Sequence, residues 1–313
     1  MKRRKTVIGA VLSLIGLPVV LSLAGAVSFY VSNRSNGSLV SAGQKREYLL
    51  YVPRSYDGAR PTPLVISMHG AGGWPAQQKD LSGWNRLAEA QGFIVVYPGG
   101  TAGAGPRIWH VDRGAGLMKD VRFISELIDT LEARYHIDTA RIYANGISNG
   151  GGMSFVLSCT LSDRIAAVGM VAAAQTLRWS WCTERRPVPM IAFHGTADPL
   201  TPYLGGTSWM VPDALPNILT WTQLWARRNR CGAGAVDSVV APDVTRREYP
   251  ACAGDATVVL YTVGGGGHTW PGGEPMMEWW VGPTSRRIDA TSRMWAFFRE
   301  HRLREARTAV QHK

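Results

Sequence analysis

Charged residues are scarce in this chain, and they form no run beyond the first five positions. Only 18% of the 313 residues are charged, and the formal net charge of +11 includes Lys2, Arg3, Arg4 and Lys5. The other basic residues are scattered, so no stripe resembles the electrostatic footprint of a nucleic-acid-binding protein. We therefore expect no nucleic-acid partner.

Charge is absent altogether between Lys5 and Arg34. This apolar stretch is long enough for a bilayer span of about 20 residues, and residues 24–26 offer a small-residue cleavage site. The sequence therefore predicts that residues 1–36 are a signal peptide or an N-terminal membrane anchor. Either one places residues 37–313 outside the cytoplasm, secreted or anchored, because the basic cluster stays inside. We expect contact with the membrane only through this segment.

Cysteine is also rare, and no C-x-x-C spacing suggests a metal or redox centre. The four cysteines are Cys159, Cys182, Cys231 and Cys252. An even set in an exported chain predicts two disulfides, and three connectivities are open. Sequential pairing closes loops of about 20 residues, worth about 3 kcal/mol each in the chain-entropy model.

Short β-rich runs alternate with longer segments that have helical periodicity. The predicted strands are residues 46–53, 63–69, 92–98, 141–146, 166–172, 188–195 and 257–263. Several are apolar throughout, which is typical of strands covered on both faces. Apolar residues at helical spacing predict a helix over 117–136, and residues 288–307 read as a closing helix. The pattern predicts a single α/β domain with a mainly parallel central sheet and helices on both faces.

Ser148 lies between Gly146 and Gly150 in "NGISNGGGMS", directly after a predicted strand and before a predicted helix. This is the setting of a nucleophile elbow, in which glycines permit a tight turn and the serine takes a strained conformation. The strand before the motif and the helix after it are needed as support, because a G-x-S-x-G match also arises by chance. We predict that Ser148 is a nucleophile.

A serine nucleophile needs a base and an orienting acid, which follow it in the order Asp or Glu, then His. His268 is the candidate base, since it lies in a glycine-rich loop after the last predicted strand. Asp198 occupies the corresponding place after the preceding strand, with Asp213 as the alternative acid. His194 is expected to shape a turn. The other histidines precede Ser148 or lie near the end of the chain: His69, His110, His136, His301 and His312.

An acyl-transfer site also needs donors for the oxyanion. The backbone N–H of Asn149 is one candidate, and "MHGAGGW" (68–74) supplies the second, from Ala71. Five tryptophans lie in or near the segments that carry these residues: Trp74, Trp109, Trp270, Trp279 and Trp280. Flat rings suit aryl, sugar or polyester chains, and we predict that Trp74, Trp109 and Trp270 contact substrate.

These motifs resemble a known family. "LVISMHGAGG", "RIYANGISNGGGMS", "AFHGTADPLTPY" and "LYTVGGGGHTWPGG" are similar to the bacterial polyhydroxybutyrate depolymerase and feruloyl esterase group of α/β-hydrolases, which resembles family 1 carbohydrate esterases such as acetylxylan esterases. The resemblance covers residues 45–300. It implies an α/β-hydrolase fold, Ser148 as nucleophile, Asp198 as acid, His268 as base, and a disulfide between Cys231 and Cys252. One departure is a third glycine before Met153, where the resemblance implies a more compact start of the helix.

The resulting hypothesis is an exported serine esterase without metal or organic cofactor. Its substrates are expected to be small or polymeric carboxylic esters: polyhydroxyalkanoate oligomers, feruloyl or aryl esters, or acetylated sugars. Because little chain follows the predicted closing helix, we expect soluble short esters to react faster than crystalline polymer. The alternatives are an acyltransferase with the same triad and a non-catalytic surface protein on a hydrolase fold. The sequence does not indicate an oligomeric state.

Overall fold

The computed structural model describes residues 35–303 except 103–104, 113, 174–177, 209–210 and 233. The strands are β1 (Gly37–Ser41), β2 (Gln44–Tyr51), β3 (Thr62–Met68), β4 (Ile94–Pro98), β5 (Ile137–Ile147), β6 (Ala167–Val171), β7 (Met190–Gly195), β8 (Gly206–Ser208), β9 (Val211–Leu215), β10 (Val236–Ala241), β11 (Val244–Tyr249) and β12 (Val258–Val263). The α-helices are α1 (Pro75–Ser82), α2 (Trp84–Gln91), α3 (Leu117–Glu132), α4 (Asn149–Thr160), α5 (Ile218–Arg228), α6 (Glu278–Val281) and α7 (Ala290–Phe298).

Ten of these strands form one sheet, in the order β1-β2-β4-β3-β5-β6-β7-β12-β11-β10. The six inner strands, from β4 to β12, run parallel to one another. The outer pairs at both edges are antiparallel. The mainly parallel α/β sheet predicted from the sequence is therefore confirmed.

The inner strands are apolar because both of their faces are covered. Along β3, Leu64 and Ile66 point into one hydrophobic cluster and Val65 into the other. Helices α3, α4 and α5 bury their apolar sides in the first cluster, and α2 and α7 bury theirs in the second. This burial on both sides of a twisted parallel sheet supplies the main stabilising free energy of the fold.

The structure contains elements that the sequence does not predict, among them helices α1, α2, α5 and α6. β1, β10 and β11 and the hairpin β8–β9 are also absent from the prediction, because strands outside the inner sheet lack the continuous apolar run that marks a strand covered on both faces. The closing helix was predicted too long. α7 begins after Asp289, whose side chain caps it by accepting from the Ser292 N–H at 2.8 Å, and it ends at Phe298.

The predicted export segment falls outside the described residues up to position 34. Over the part of the chain that is described, no helix has the length and apolar character needed to span a membrane.

The four cysteines are paired in sequential order. Cys159 is joined to Cys182, and Cys231 is joined to Cys252. The first bridge ties the last turn of α4 to the chain after a 3₁₀ turn (Trp179–Trp181), and the second ties the end of α5 to the chain beyond β11. Both disulfides therefore fasten helices that cover the same face of the sheet to neighbouring loops.

We predict that the protein unfolded without reductant has no titratable thiol, and that peptide mapping recovers these two pairs. Replacing Cys159 and Cys182 together by serine should lower the free energy of unfolding by about 3 kcal/mol, because the bridge constrains a loop of 23 residues in the unfolded chain. Urea unfolding, with the reduced parent protein as control, measures this loss. Free thiols, or a peptide that joins cysteines of different pairs, would contradict the prediction.

Candidate active site

Ser148 forms the one-residue junction between β5 and α4. Its backbone has φ 53° and ψ −123°, a conformation that is costly for a residue with a side chain. The Ser148 N–H donates to the carbonyl of Val171 at the end of β6, at 2.9 Å. The tight strand-to-helix turn that the sequence predicted is present, and it holds the serine in a strained backbone conformation.

The flanking glycines are explained by the close approach of the β3 backbone. A β-carbon at Gly146 would lie 2.6 Å from the carbonyl oxygen of Met68, and one at Gly150 would lie 2.5 Å from that of His69. Neither distance is tolerable for a carbon. The third glycine does not delay the helix, since α4 begins at Asn149 with Gly150, Gly151 and Gly152 inside it.

Asp198 and His268 come together at the carboxyl ends of β7 and β12, which are neighbouring parallel strands. His268 Nδ1 lies 2.9 Å from Asp198 Oδ2, and both residues are about 95% buried. The other carboxylate oxygen accepts from the N–H groups of Leu200, at 2.8 Å, and Thr201, at 2.7 Å. Since the carboxylate accepts at Nδ1, the neutral imidazole presents Nε2 as its basic nitrogen.

Ser148 and His268 line the same cavity, which has a volume of about 230 Å³. Its wall also includes Ala71, and a β-carbon at neighbouring Gly70 would lie 3.4 Å from Ser148 Cβ. The loop after β3 therefore runs directly beside the serine. Asn149 is the first residue of α4, where a backbone N–H has no acceptor within the helix. Both predicted oxyanion donors are thus next to Ser148.

Comparisons with known proteins identify the family of this chain. A family model described as "Esterase PHB depolymerase" matches residues 46–176. The putative esterase NocK of Nocardia uniformis subsp. tsuyamanensis is 31% identical over 275 residues, which are 80% of this chain and 78% of that protein. The chain belongs to the PHB depolymerase esterase family. The family resemblance predicted from the motifs is confirmed.

Feruloyl esterase B of Piromyces equi is also similar to this chain, with 31% identity over 240 residues. The match covers 75% of this chain but only 44% of the feruloyl esterase, so the chain spans less than half of that protein's length. Among solved structures, the acetyl xylan esterase from Aspergillus awamori superposes with a TM-score of 0.57 at 17% identity, over 74% of this chain and 93% of that one. This likeness shows a shared fold.

The cavity beside Ser148 in this esterase-family chain has a mostly apolar wall. It includes Leu81, Ile147, Leu200, Met276, Met277, Trp280 and Val281. A wider cleft of about 650 Å³ adjoins it and shares Gln77, Leu81, Met276 and Met277 with it. Trp74 lines that second cleft together with Asp80 and Glu274. Of the three tryptophans predicted to contact substrate, only Trp74 borders either space.

The prediction for Trp109 and Trp270 is wrong, because both are in the core. Trp109 is 1% exposed and Trp270 is 0% exposed, and neither is part of the wall of the two spaces described above. The Trp270 indole N–H donates to the Thr291 hydroxyl at 2.9 Å, which fastens the loop carrying His268 to α7. The tryptophan at the cavity is Trp280, on α6, which is 42% exposed.

His194 also approaches the Asp198 carboxylate. Its Nε2 lies 3.5 Å from Asp198 Oδ2 and 2.7 Å from the carbonyl oxygen of Thr201. Burial lowers the pKa of His194, so the ring is neutral and donates from Nε2 to that carbonyl. The contact fits the expectation that His194 shapes the turn. The alternative acid Asp213 lies on β9, and its side chain is outside the described part of the chain.

The glycines of α4 allow a matched test of the turn. Gly152→Ala should preserve activity and raise the free energy of unfolding by up to about 1 kcal/mol, because a β-carbon there lies 3.5 Å from Val111 and alanine favours a helix. Gly150→Ala should destabilise by about 3 kcal/mol or more, because its β-carbon overlaps two carbonyl oxygens. Urea unfolding of both variants measures the difference. Equal stabilities would show that the β3 backbone does not restrict this turn.

Proposed function

We propose that this protein is a serine carboxylic ester hydrolase with Ser148 as nucleophile, His268 as base and Asp198 as the orienting acid. The observation that carries the proposal is the buried Asp198–His268 pair, 2.9 Å apart, whose imidazole borders the same cavity as the strained serine. Two hydrogen bonds from backbone N–H groups hold the carboxylate in place. Membership of an esterase family supports the same chemistry.

The proposed reaction has two steps with an acyl-enzyme between them. His268 Nε2 takes the proton of Ser148 as its oxygen attacks the ester carbonyl, and Asp198 stabilises the imidazolium that forms. The N–H groups of Asn149 and Ala71 donate to the oxyanion. The imidazolium then gives its proton to the leaving alcohol. Water, deprotonated by His268, attacks the acyl-enzyme and releases the acid together with Ser148 in its starting form.

The acyl group and the alcohol part of the ester are assigned to the two adjoining spaces. The cavity of about 230 Å³ beside Ser148, with its apolar wall, suits a compact or flat acyl group. The wider cleft suits the alcohol part. Its carboxylates, Asp80 and Glu274, accept hydrogen bonds from hydroxyl groups, and Trp74 offers a ring for a sugar face. A polyester chain has only acceptor oxygens, so esters of sugars match this cleft better than polyhydroxybutyrate does.

Export is part of the same proposal. The apolar stretch between Lys5 and Arg34 serves as signal peptide or anchor, and the domain from residue 37 onward acts outside the cytoplasm. The two disulfides support an oxidising compartment, since such bridges persist there and are rare in the cytosol.

The triad is tested by single and double substitutions. Ser148→Ala should abolish hydrolysis of p-nitrophenyl acetate with little change in melting temperature, because only a hydroxyl group is lost. His268→Ala should be nearly as severe. The double variant should be little worse than either, because the residues act as a unit. Steady-state kinetics decides, and either an active Ser148→Ala protein or multiplicative losses would contradict the assignment.

The acyl cavity is tested at two adjacent tryptophans. Trp280→Ala should raise KM for methyl ferulate about tenfold with a much smaller change in kcat, because a ring that borders the cavity is lost. Trp279 is the matched control: it is 78% exposed and is not part of the cavity wall, so Trp279→Ala should leave KM within about twofold. Equal effects of the two substitutions would argue against this position of the acyl group.

A further inference from the structure

The buried Trp109 is hydrogen-bonded to both chain segments that flank Ser148. Its indole N–H donates to the carbonyl oxygen of His69 at 3.0 Å. His69 directly precedes Gly70 and Ala71, the loop that runs beside the serine. One end of the tryptophan therefore fastens the segment that carries the proposed Ala71 donor.

The backbone of Trp109 pairs with the side chain of Asn149. The Trp109 N–H donates to Asn149 Oδ1 at 2.7 Å, and Asn149 Nδ2 donates to the Trp109 carbonyl at 2.9 Å. Two bonds in opposite directions fix the orientation of the amide plane. Since Asn149 opens α4, they also restrain the backbone N–H that follows Ser148.

The surroundings keep this connection rigid. The Trp109 ring packs against the His69 ring, with centroids 5.5 Å apart. His69 is itself fixed, because its Nδ1 lies 2.7 Å from the Gly70 carbonyl and its Nε2 accepts from the Gly100 N–H at 3.0 Å. Burial lowers the pKa of His69 to about 4, so the ring remains neutral and keeps this pattern of one donor and one acceptor.

The segment that carries Trp109 is anchored on its other side by a buried carboxylate. The N–H of His110 donates to Asp120 Oδ2 at 2.9 Å, and the His110 ring lies 2.8 Å from the same oxygen. Asp120 is fully buried and pairs with Arg46 at 2.8 Å. The chain directly after Trp109 is therefore held to a buried ion pair.

We propose that Trp109 is a positioning residue that sets the spacing between the Ala71 and Asn149 N–H groups. The inference rests on the proposed function. Donors stabilise an oxyanion only when both lie about 2.7–3.1 Å from it, and a misplacement of about 1 Å in an active site costs on the order of 100-fold in rate. The three hydrogen bonds that Trp109 makes with His69 and Asn149 hold the two N–H groups at a fixed distance from each other. Substrate binding does not depend on them, so their loss should act on kcat.

The experiment compares Trp109→Phe with Trp225→Phe. The first keeps an aromatic ring and removes the bond to His69. Trp225 is likewise fully buried and donates its indole N–H to a backbone carbonyl, that of Val188, at 3.1 Å, but it lies on α5 away from the cavity. Trp109→Phe should lower kcat for p-nitrophenyl acetate about 10- to 100-fold with KM within about twofold. Trp225→Phe should lower only the melting temperature.

A second variant keeps the test decisive if Trp109→Phe fails to fold. Asn149→Ala retains the backbone N–H and removes both side-chain bonds, so it should lower kcat by a similar factor. The double variant should lose about as much as one single variant, because both act through the same connection. A kcat equal to that of Trp225→Phe, a loss confined to KM, or multiplicative losses would overturn the inference. A parent protein without esterase activity would overturn the proposed function, and this inference with it.

Discussion

The architecture of the candidate site depends on how closely the β5–α4 junction approaches the end of β3. The backbone at positions 146 and 150 lies so near the carbonyl groups of Met68 and His69 that only glycine fits. Between these two glycines, Ser148 has a positive φ angle. The close approach also brings the loop after β3 alongside the serine. A serine held in this way is exposed to the cavity while the chain around it is buried, and the cost of its backbone strain is met by the packing of the sheet.

The parallel sheet then supplies the partners. Strands β7 and β12 are neighbours and end at the same edge, so the turns that follow them meet there. The Asp198 carboxylate accepts two backbone hydrogen bonds and contacts the His268 ring, and these three contacts fix its position. Neither residue needs a long flexible loop, and the loop of His268 is fastened to α7 through the Trp270 indole.

Tryptophans in this protein serve two physically different purposes. Trp109 and Trp270 are buried and use their indole N–H groups to hold loops in place, whereas Trp280 presents its ring to the cavity. A large ring with one donor suits the first use, because it fills space and fixes a carbonyl at the same time. Rigid loops next to the reacting atoms are the result.

The alternation of apolar inner strands with helices follows from the sequence alone, because a strand covered on both faces must be apolar throughout and a surface helix must repeat every 3.6 residues. The same holds for the elbow at Ser148, where Gly146 and Gly150 leave a readable signature, and for the selection of Asp198 and His268 as candidates from their place after β7 and β12. The edge strands escape prediction, because they lack the continuous apolar run of a strand covered on both faces. Only the tertiary structure decided which tryptophans face the cavity, because burial depends on which element covers a loop and not on the residue type. It alone also brought Met276, Met277 and Trp280 to Ser148 and joined Trp109 to Asn149 across 40 residues of chain, since such contacts between distant segments exist only once the sheet has assembled.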